Sequence, residues 1–409
     1  MQSEQLLEAA LGVSSPWYVR ETQFEADART LTIRVDFHPG SRFSHPEAAG
    51  EHPVHDTQTK RYRHLNFFQH ECFLEVRVPR VKLPDGSVRL LEPPWAGKLS
   101  GFTLLFEALV LCLCREMPFA AVARLVGESW HRVARVAERY VELAMAEADF
   151  SEVRELAVDE TSKARGHDYV TVAADAQRRA VIFVTETREA AAIERLAEDL
   201  SAHGGDPEAI CAVSIDMSPA YLKGVEAHLP NARVTFDKFH VIAHASHALD
   251  LTRRAEQKRD PELKGLRWVL LKDRRALSDG RRADLDALLT NLTTKRTARA
   301  WQYREDLREI LNRKQVNVVR EMLRQWCTNV MRSKVEPMKE VARMIRNHLE
   351  GIVAWARTRM TNGFLEALNG LFQAAKRKAR GYRRLSTIRT IIFLIAGKLD
   401  FRTLNPHTA

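Results

Sequence analysis

Leu156-Ala157-Val158-Asp159, Tyr169-Val170-Thr171-Val172-Ala173-Ala174 and Ala180-Val181-Ile182-Phe183-Val184-Thr185 are three short runs rich in apolar and β-branched residues. Gly166-His167-Asp168 and Ala176-Gln177-Arg178-Arg179 separate them as turns, so the spacing predicts a three-stranded meander. The pattern then alternates, with a helix from Glu189 to Leu200, a strand from Ile210 to Asp216, a helix from Ala220 to His228 and a strand from Arg233 to Phe236. A meander followed by alternating helices and strands predicts a mixed α/β sheet.

Outward from this core, residues 238 to about 357 lose all strand signal. Charged-apolar periodicity with Trp268, Trp301, Trp326 and Trp355 predicts an all-helical insertion. Tryptophans at such positions belong to cores, the alternative being that Trp301 or another stacks on a distorted base. Upstream, Phe102 to Arg115 reads as an apolar helix. From Pro118, Phe119 to Val126, the turn residue Gly127 and a second helix opening near Ser129 give the outline of a helix-turn-helix. Ser129, His131, Arg132 and Arg135 would offer polar atoms to phosphates or base edges, whereas an ordinary helical hairpin would use them as a solvated face. Residues 1–95, rich in turn formers and histidine with short alternating pieces such as Thr30 to Val35, predict a small β-rich module. The expected domains are therefore 1–95, 96–150 and 151–400, the last carrying the insertion.

At 409 residues, 45% hydrophobic and 28% charged, the chain is expected to be globular and multidomain. Its 63 Lys and Arg against 53 Asp and Glu leave a net charge of +10, which favours a polyanionic partner, nucleic acid first. The apolar run Ala108 to Cys114 is far shorter than the roughly 20 residues of a membrane span, and the start lacks a signal-peptide pattern. Cys72, Cys112, Cys114, Cys211 and Cys327 are odd in number and scattered, so a reducing cytoplasm is expected rather than a disulfide framework.

Asp159 and Asp216 each close an apolar run, and Glu366 stands in the first turn of a helix beginning near Gly363. Singly, each has a plain structural reading: an edge residue, the start of the turn before Ser218-Pro219, and an acid complementing a helix N-terminus. Together they predict a different arrangement. Carboxylates converging from two strands and a helix repel one another unless a cation holds them ionised, and a divalent metal serving phosphoryl transfer is the natural cation. The helix supports delivery of Glu366, since Phe364, Leu365, Leu368, Leu371 and Phe372 recur on one face and Asn362, Glu366, Asn369, Gln373 and Arg380 on the other. Beyond it, Lys376, Arg377, Lys378, Arg380, Arg383, Arg384, Arg389, Lys398 and Arg402 face the single acid Asp400, a run suited to a DNA backbone. Within the run, Gly381-Tyr382 reads as a turn with a packed ring in preference to a stacking one.

These segments resemble the ISL-three family of bacterial insertion-sequence transposases. The resemblance rests on Val158-Asp159-Glu160, on Ser214-Ile215-Asp216-Met217-Ser218-Pro219-Ala220-Tyr221, on Asp237-Lys238-Phe239-His240, and on Thr361-Asn362-Gly363-Phe364-Leu365-Glu366-Ala367-Leu368-Asn369 with Lys376-Arg377 and Gly381-Tyr382. It extends from about residue 40 to about 400, with His64-Leu65-Asn66 and Pro79-Arg80-Val81 near the start. It implies a ribonuclease-H-like catalytic fold, Asp159, Asp216 and Glu366 as catalytic and metal-binding triad, and Mg²⁺ or Mn²⁺ as cofactor. It also implies double-stranded DNA partners, namely terminal inverted repeats and target, and a homo-oligomer on DNA in a bacterial cytoplasm. For Asp237 and His240 it leaves a structural role open. The family's cysteine-rich zinc module has no counterpart at Ser44-His45-Pro46-Glu47-Ala48 or Lys82-Leu83-Pro84-Asp85-Gly86. His38, His45, His52, His55, His64, His70 and Cys72 lack a zinc spacing, so zinc is not expected. A structure-selective nuclease of the same fold, or a domesticated DNA-binding protein with a residual triad, would share many of these residues.

Overall fold

In the computed structural model the described residues are 3–99, 101–164, 168–187, 189–290, 295–358 and 363–408. Gly166, His167, Thr361 and Asn362, named above, lie outside them. The chain groups into two compact units, one formed by 1–148 with 372–409 and the other by 149–371.

The first unit begins with α1 (Ser3–Leu11), whose Glu8 Oε1 accepts the Val19 amide at 2.8 Å. Strands β1 (Trp17–Glu25), β2 (Thr30–Phe37), β3 (Arg42–His45), β4 (Ala48–Phe67), β5 (His70–Lys82) and β6 (Val88–Leu90) follow. They form a sheet ordered β1-β2-β5-β4-β3 with β6 beside β5. Only the β2–β5 pair is parallel. Where the sequence predicts short strands, β4 runs 20 residues, because it pairs first with β3 and then with β5 along nearly the whole length of β5. The β5 side chains Cys72, Leu74, Val76, Val78 and Val81 are buried with Leu31, Ile33 and Val35 of β2. That apolar strip holds β4, whose own side chains are largely polar, in extended form.

Helices α2 (Leu104–Glu116), α3 (Phe119–Val126) and α4 (Trp130–Ala146) complete the front of this unit. Gly127 ends α3 at φ 74°, a backbone conformation glycine adopts without steric cost, and Ser129 caps α4 by accepting the Arg132 amide.

In the second unit, β7 (Glu155–Ala164), β8 (Asp168–Asp175) and β9 (Ala180–Thr185) form the meander. After α5 (Ala190–Ala202) come β10 (Ala212–Ile215), α6 (Pro219–His228) and β11 (Arg233–Phe236). The sheet order is β11-β10-β7-β8-β9, with β10 parallel to both β7 and β11. This is the ribonuclease-H-like topology, with β7 at its centre. The insertion is helical throughout its described residues: α7 (Lys238–Glu256), α8 (Arg267–Leu271), α9 (Asp279–Leu289), α10 (Arg296–Asn312), α11 (Val316–Met331), α12 (Glu336–Asn347) and α13 (Leu349–Thr358). Trp301, Trp326 and Trp355 are core residues, while Trp268 is 63% exposed.

Helix α14 (Gly363–Lys378) leads out of the second unit, and α15 (Leu385–Ala396) lies in the first. The expected catalytic domain runs to residue 400, but residues 372–409 group with the front of the chain. Ile388, Ile391, Ile392 and Phe393 of α15 are buried, and Ser386 Oγ donates to Glu138 of α4 at 3.2 Å. Asn405 donates to the Tyr140 hydroxyl at 2.9 Å. Tyr140 in turn donates to the buried carboxylate of Glu107 at 2.8 Å.

Candidate active site

The β7–β10 register pairs Ala212 with Glu155, Val213 with Leu156 and Ser214 with Ala157. Continued by two residues, it sets Asp216 beside Asp159, and neighbours in register on parallel strands point to the same face. Asp159 lies within β7, opposite Val172 of β8, rather than at the strand end that the sequence suggests. The polar stretch after it continues the strand because Glu160 to Ala164 pairs with Asp168 to Thr171. Asp216 stands one residue past β10, and its Oδ1 accepts the Ser218 amide at 2.9 Å in the turn that opens α6.

Asp159 is held at both oxygens. Oδ1 accepts the Glu160 amide at 2.8 Å, and Oδ2 accepts Asn369 Nδ2 at 3.1 Å. Asn369 lies three residues after Glu366 on α14, so the two share a helix edge and the hydrogen bond fastens that edge to β7. Burial pushes the Asp159 carboxyl up to about 6, and the negative charges of Asp216 and Glu366 push the same way, against the Glu160 amide and His240. Glu366, on the exposed side of α14, is raised by partial enclosure and by Asp237, with His240 opposing. Asp159 therefore lies within electrostatic reach of both other predicted acids.

Two histidines that sequence reasoning left without a role also belong here. Asp237 caps α7 by accepting the Phe239 amide at 2.9 Å, which starts the helix so that His240 and His244 share a face. They line a cavity of about 340 Å³ together with Asp216, Ser218 and Met344. The His240 Nε2 atom is buried there without a hydrogen-bond partner among the described residues. Burial lowers the His244 pKa, as do the neighbouring His240 and His247. The Asp237-x-x-His240 spacing is the sequence signal that could have drawn attention to this pair.

Among the described residues, no three His, Cys, Asp or Glu side chains close into a ready-made metal cage. The arrangement is an open set of carboxylates on rigid elements. That donor set fits a hard divalent cation such as Mg²⁺, which takes one or two carboxylates and completes its shell with water and substrate phosphate.

The predicted DNA-contacting residues are less uniform. Arg132 is engaged within the protein, paired with Glu128 at 2.8 Å and lying 3.9 Å over the Phe102 ring. Arg135 is exposed, as are Trp130 and His131, whose rings stack at 3.7 Å. Lys376 is half-buried, and that burial, with Arg377 beside it, lowers its pKa. Arg377, Lys378, Arg380, Arg383 and Arg384 are exposed. Arg380, at φ 61°, closes α14 together with a Gly381 amide that donates to the Lys376 carbonyl at 2.9 Å. Tyr382 packs on Phe372 with ring centroids 6.1 Å apart, and burial pushes its hydroxyl up to about 12. Leu371, expected on the packed face, is 59% exposed. In the front module, His64 Nδ1 lies 2.9 Å from Thr103 Oγ1 and His55 3.2 Å from Asp56.

A ribonuclease-H-like sheet with one aspartate on its central strand and a second just past the neighbouring strand, in one chain with a helix-turn-helix, is the architecture of a DNA transposase. Residues 156–392 match the DDE transposase model of the ISL3 group, described as "Transposase", and residues 91–141 match the helix-turn-helix domain of transposase family ISL3. The chain belongs to the ISL3 transposase family. It is 28% identical over 397 residues to the transposase for insertion sequence element IS1001 of Bordetella parapertussis, covering 94% of this chain and 96% of that one. It is 25% identical over 426 residues to the transposase for insertion sequence element IS1557 of Mycobacterium tuberculosis, covering 94% and 93%. Enzymes of this class cleave and transfer DNA strands and use a divalent metal.

Proposed function

We propose that Asp159, Asp216 and Glu366 are the catalytic triad of this transposase, and that the chain cuts and joins the ends of an insertion sequence. The observation that carries the reading is the β7–β10 register beside Asp159, together with a carboxyl raised first by burial and then by the charges of Asp216 and Glu366. Bound Mg²⁺ or Mn²⁺ would supply the positive charge that activates an attacking oxygen and stabilises a leaving one.

The chain's own residues position that chemistry. Asp159 and Asp216 present oxygens from neighbouring strands, Asn369 fixes the orientation of Asp159, and α14 delivers Glu366. Water first attacks an end phosphodiester, forming a P–O bond and releasing a 3′-hydroxyl. That hydroxyl then attacks a target phosphodiester and displaces the target's own 3′-oxygen. Each step exchanges one phosphodiester or water oxygen for another, so no external energy source is needed.

In the same reading, the front modules recognise terminal inverted repeats, with Arg132 and Arg135 on the reading helix. Lys376, Arg377, Lys378, Arg380, Arg383 and Arg384 hold DNA backbone. A homo-oligomer assembled on DNA would bring two ends together, within a bacterial cytoplasm. No helix among the described residues is long and apolar enough to cross a membrane. Asp216→Asn should abolish strand cleavage and joining while leaving specific end binding intact. Persisting cleavage in that variant would show that the triad is wrongly assigned.

A further inference from the structure

β11 is an edge strand of the five-stranded sheet, and an edge needs covering. Helix α13 packs along it so closely at Gly351 that a β-carbon there would sit 2.4 Å from the Phe236 ring. Beside this crossing is a cavity of about 650 Å³. Among the described residues four arginines line it, Arg233 of β11, Arg320 of α11, Arg346 of α12 and Arg357 of α13, with Glu350 as the only acid.

The charges do not balance. Glu350 already accepts from Arg320 at 2.7 Å, and the Arg320 Nε atom is nevertheless buried without a partner among the described residues. Arg346 interacts with Cys327. Arg233 and Arg357 are exposed, and no acid among the described residues pairs with either. Clustered cations repel, and a concave wall between them focuses their field, so the groove is built to receive an anion. Guanidinium groups suit phosphate because their planar N–H pairs match its oxygens.

We infer that this groove holds the phosphate backbone of an unpaired DNA strand during the transposase reaction. Its size decides for a single strand over a duplex. Ligand pockets of roughly 300–1,000 Å³ hold one small molecule, so the groove has room for about a nucleotide or two of one strand. The inference rests on DNA being the substrate and is independent of which acids form the triad.

The test is binding rather than cleavage, measured by fluorescence anisotropy on the full-length chain with a labelled short oligothymidylate and, separately, a labelled duplex lacking the element's ends. Arg233→Ala combined with Arg357→Ala removes two exposed cations, and an unchanged melting temperature confirms that the variant is folded. Losing two phosphate contacts should reduce the logarithmic salt slope on the single strand by about 1.4 and weaken binding roughly 25-fold at about 0.1 M salt. Duplex binding should change by less than about twofold. Single-strand affinity and slope equal to the parent's would overturn the inference, as would an equal loss on the duplex.

Discussion

Asp159 and Arg132 are both charged side chains in parts of the molecule that handle DNA, yet their surroundings are opposite. Asp159 sits on a central strand where burial and two neighbouring acids oppose its ionised form, and among the described residues the Asn369 side-chain amide hydrogen-bonds it. Arg132 lies near the start of a surface helix with its charge already answered by Glu128 and its guanidinium on the Phe102 ring. The acid site holds like charge that the Glu160 amide and His240 relieve only in part, which suits a cation-dependent site. Helix α4, the proposed reading helix, has neutralised one of its own cations and leaves Arg135 exposed.

The largest effect expected from this contrast concerns stability without metal. The Asp159 carboxyl is raised from 3.8 to about 6, so between those pH values the folded protein holds a proton that the unfolded chain has released. Stability therefore falls as pH rises through that window, by up to ~3 kcal/mol above pH 6, and the penalty is absent below about pH 4. Asp159→Asn should remove it. In denaturant melts with chelator, the variant should exceed the parent at pH 7 and match it near pH 4. Equal stability at pH 7 would mean that the carboxylate is not strained, and the contrast with Arg132 would disappear.

A smaller effect is expected on the reading helix. Arg135→Ala should lower the salt slope of end binding by about 0.9 and the affinity about eightfold at 0.1 M salt. Smaller again, Arg132→Ala should leave the slope nearly unchanged and instead lower stability by about 0.5–1 kcal/mol, through the lost ring and carboxylate contacts. If Arg132→Ala changes the slope as Arg135→Ala does, its pairing with Glu128 opens when DNA binds.

Much of the catalytic fold is legible in the sequence because the meander and the strands after it bury both faces and read as apolar runs. The register is not legible, since hydrophobicity along β7 and β10 says nothing of which residues pair, and it is the register that sets Asp216 beside Asp159. Nor is the full length of β7, whose residues after Asp159 are largely polar and carry no apolar strand pattern. The 20-residue β4 escapes for a similar reason, being held by the apolar face of β5 more than by its own composition. The place of α15 escapes because chain order suggests continuity with the catalytic segment, whereas its buried isoleucines belong to the unit containing α4. Asn369 was visible on the correct helix edge, but its hydrogen bond to a strand 210 residues away was not.

Glu366 is the proposed triad acid whose role depends most on tertiary placement, and exchanging its carboxylate for a thiol tests that proposed role directly. Mg²⁺ demands oxygen, whereas softer divalent ions accept a thiolate. With pre-bound element ends, Glu366→Cys should show no strand cleavage in Mg²⁺ and should recover cleavage in Mn²⁺. Cleavage in Mg²⁺ at the parent's rate would contradict the account.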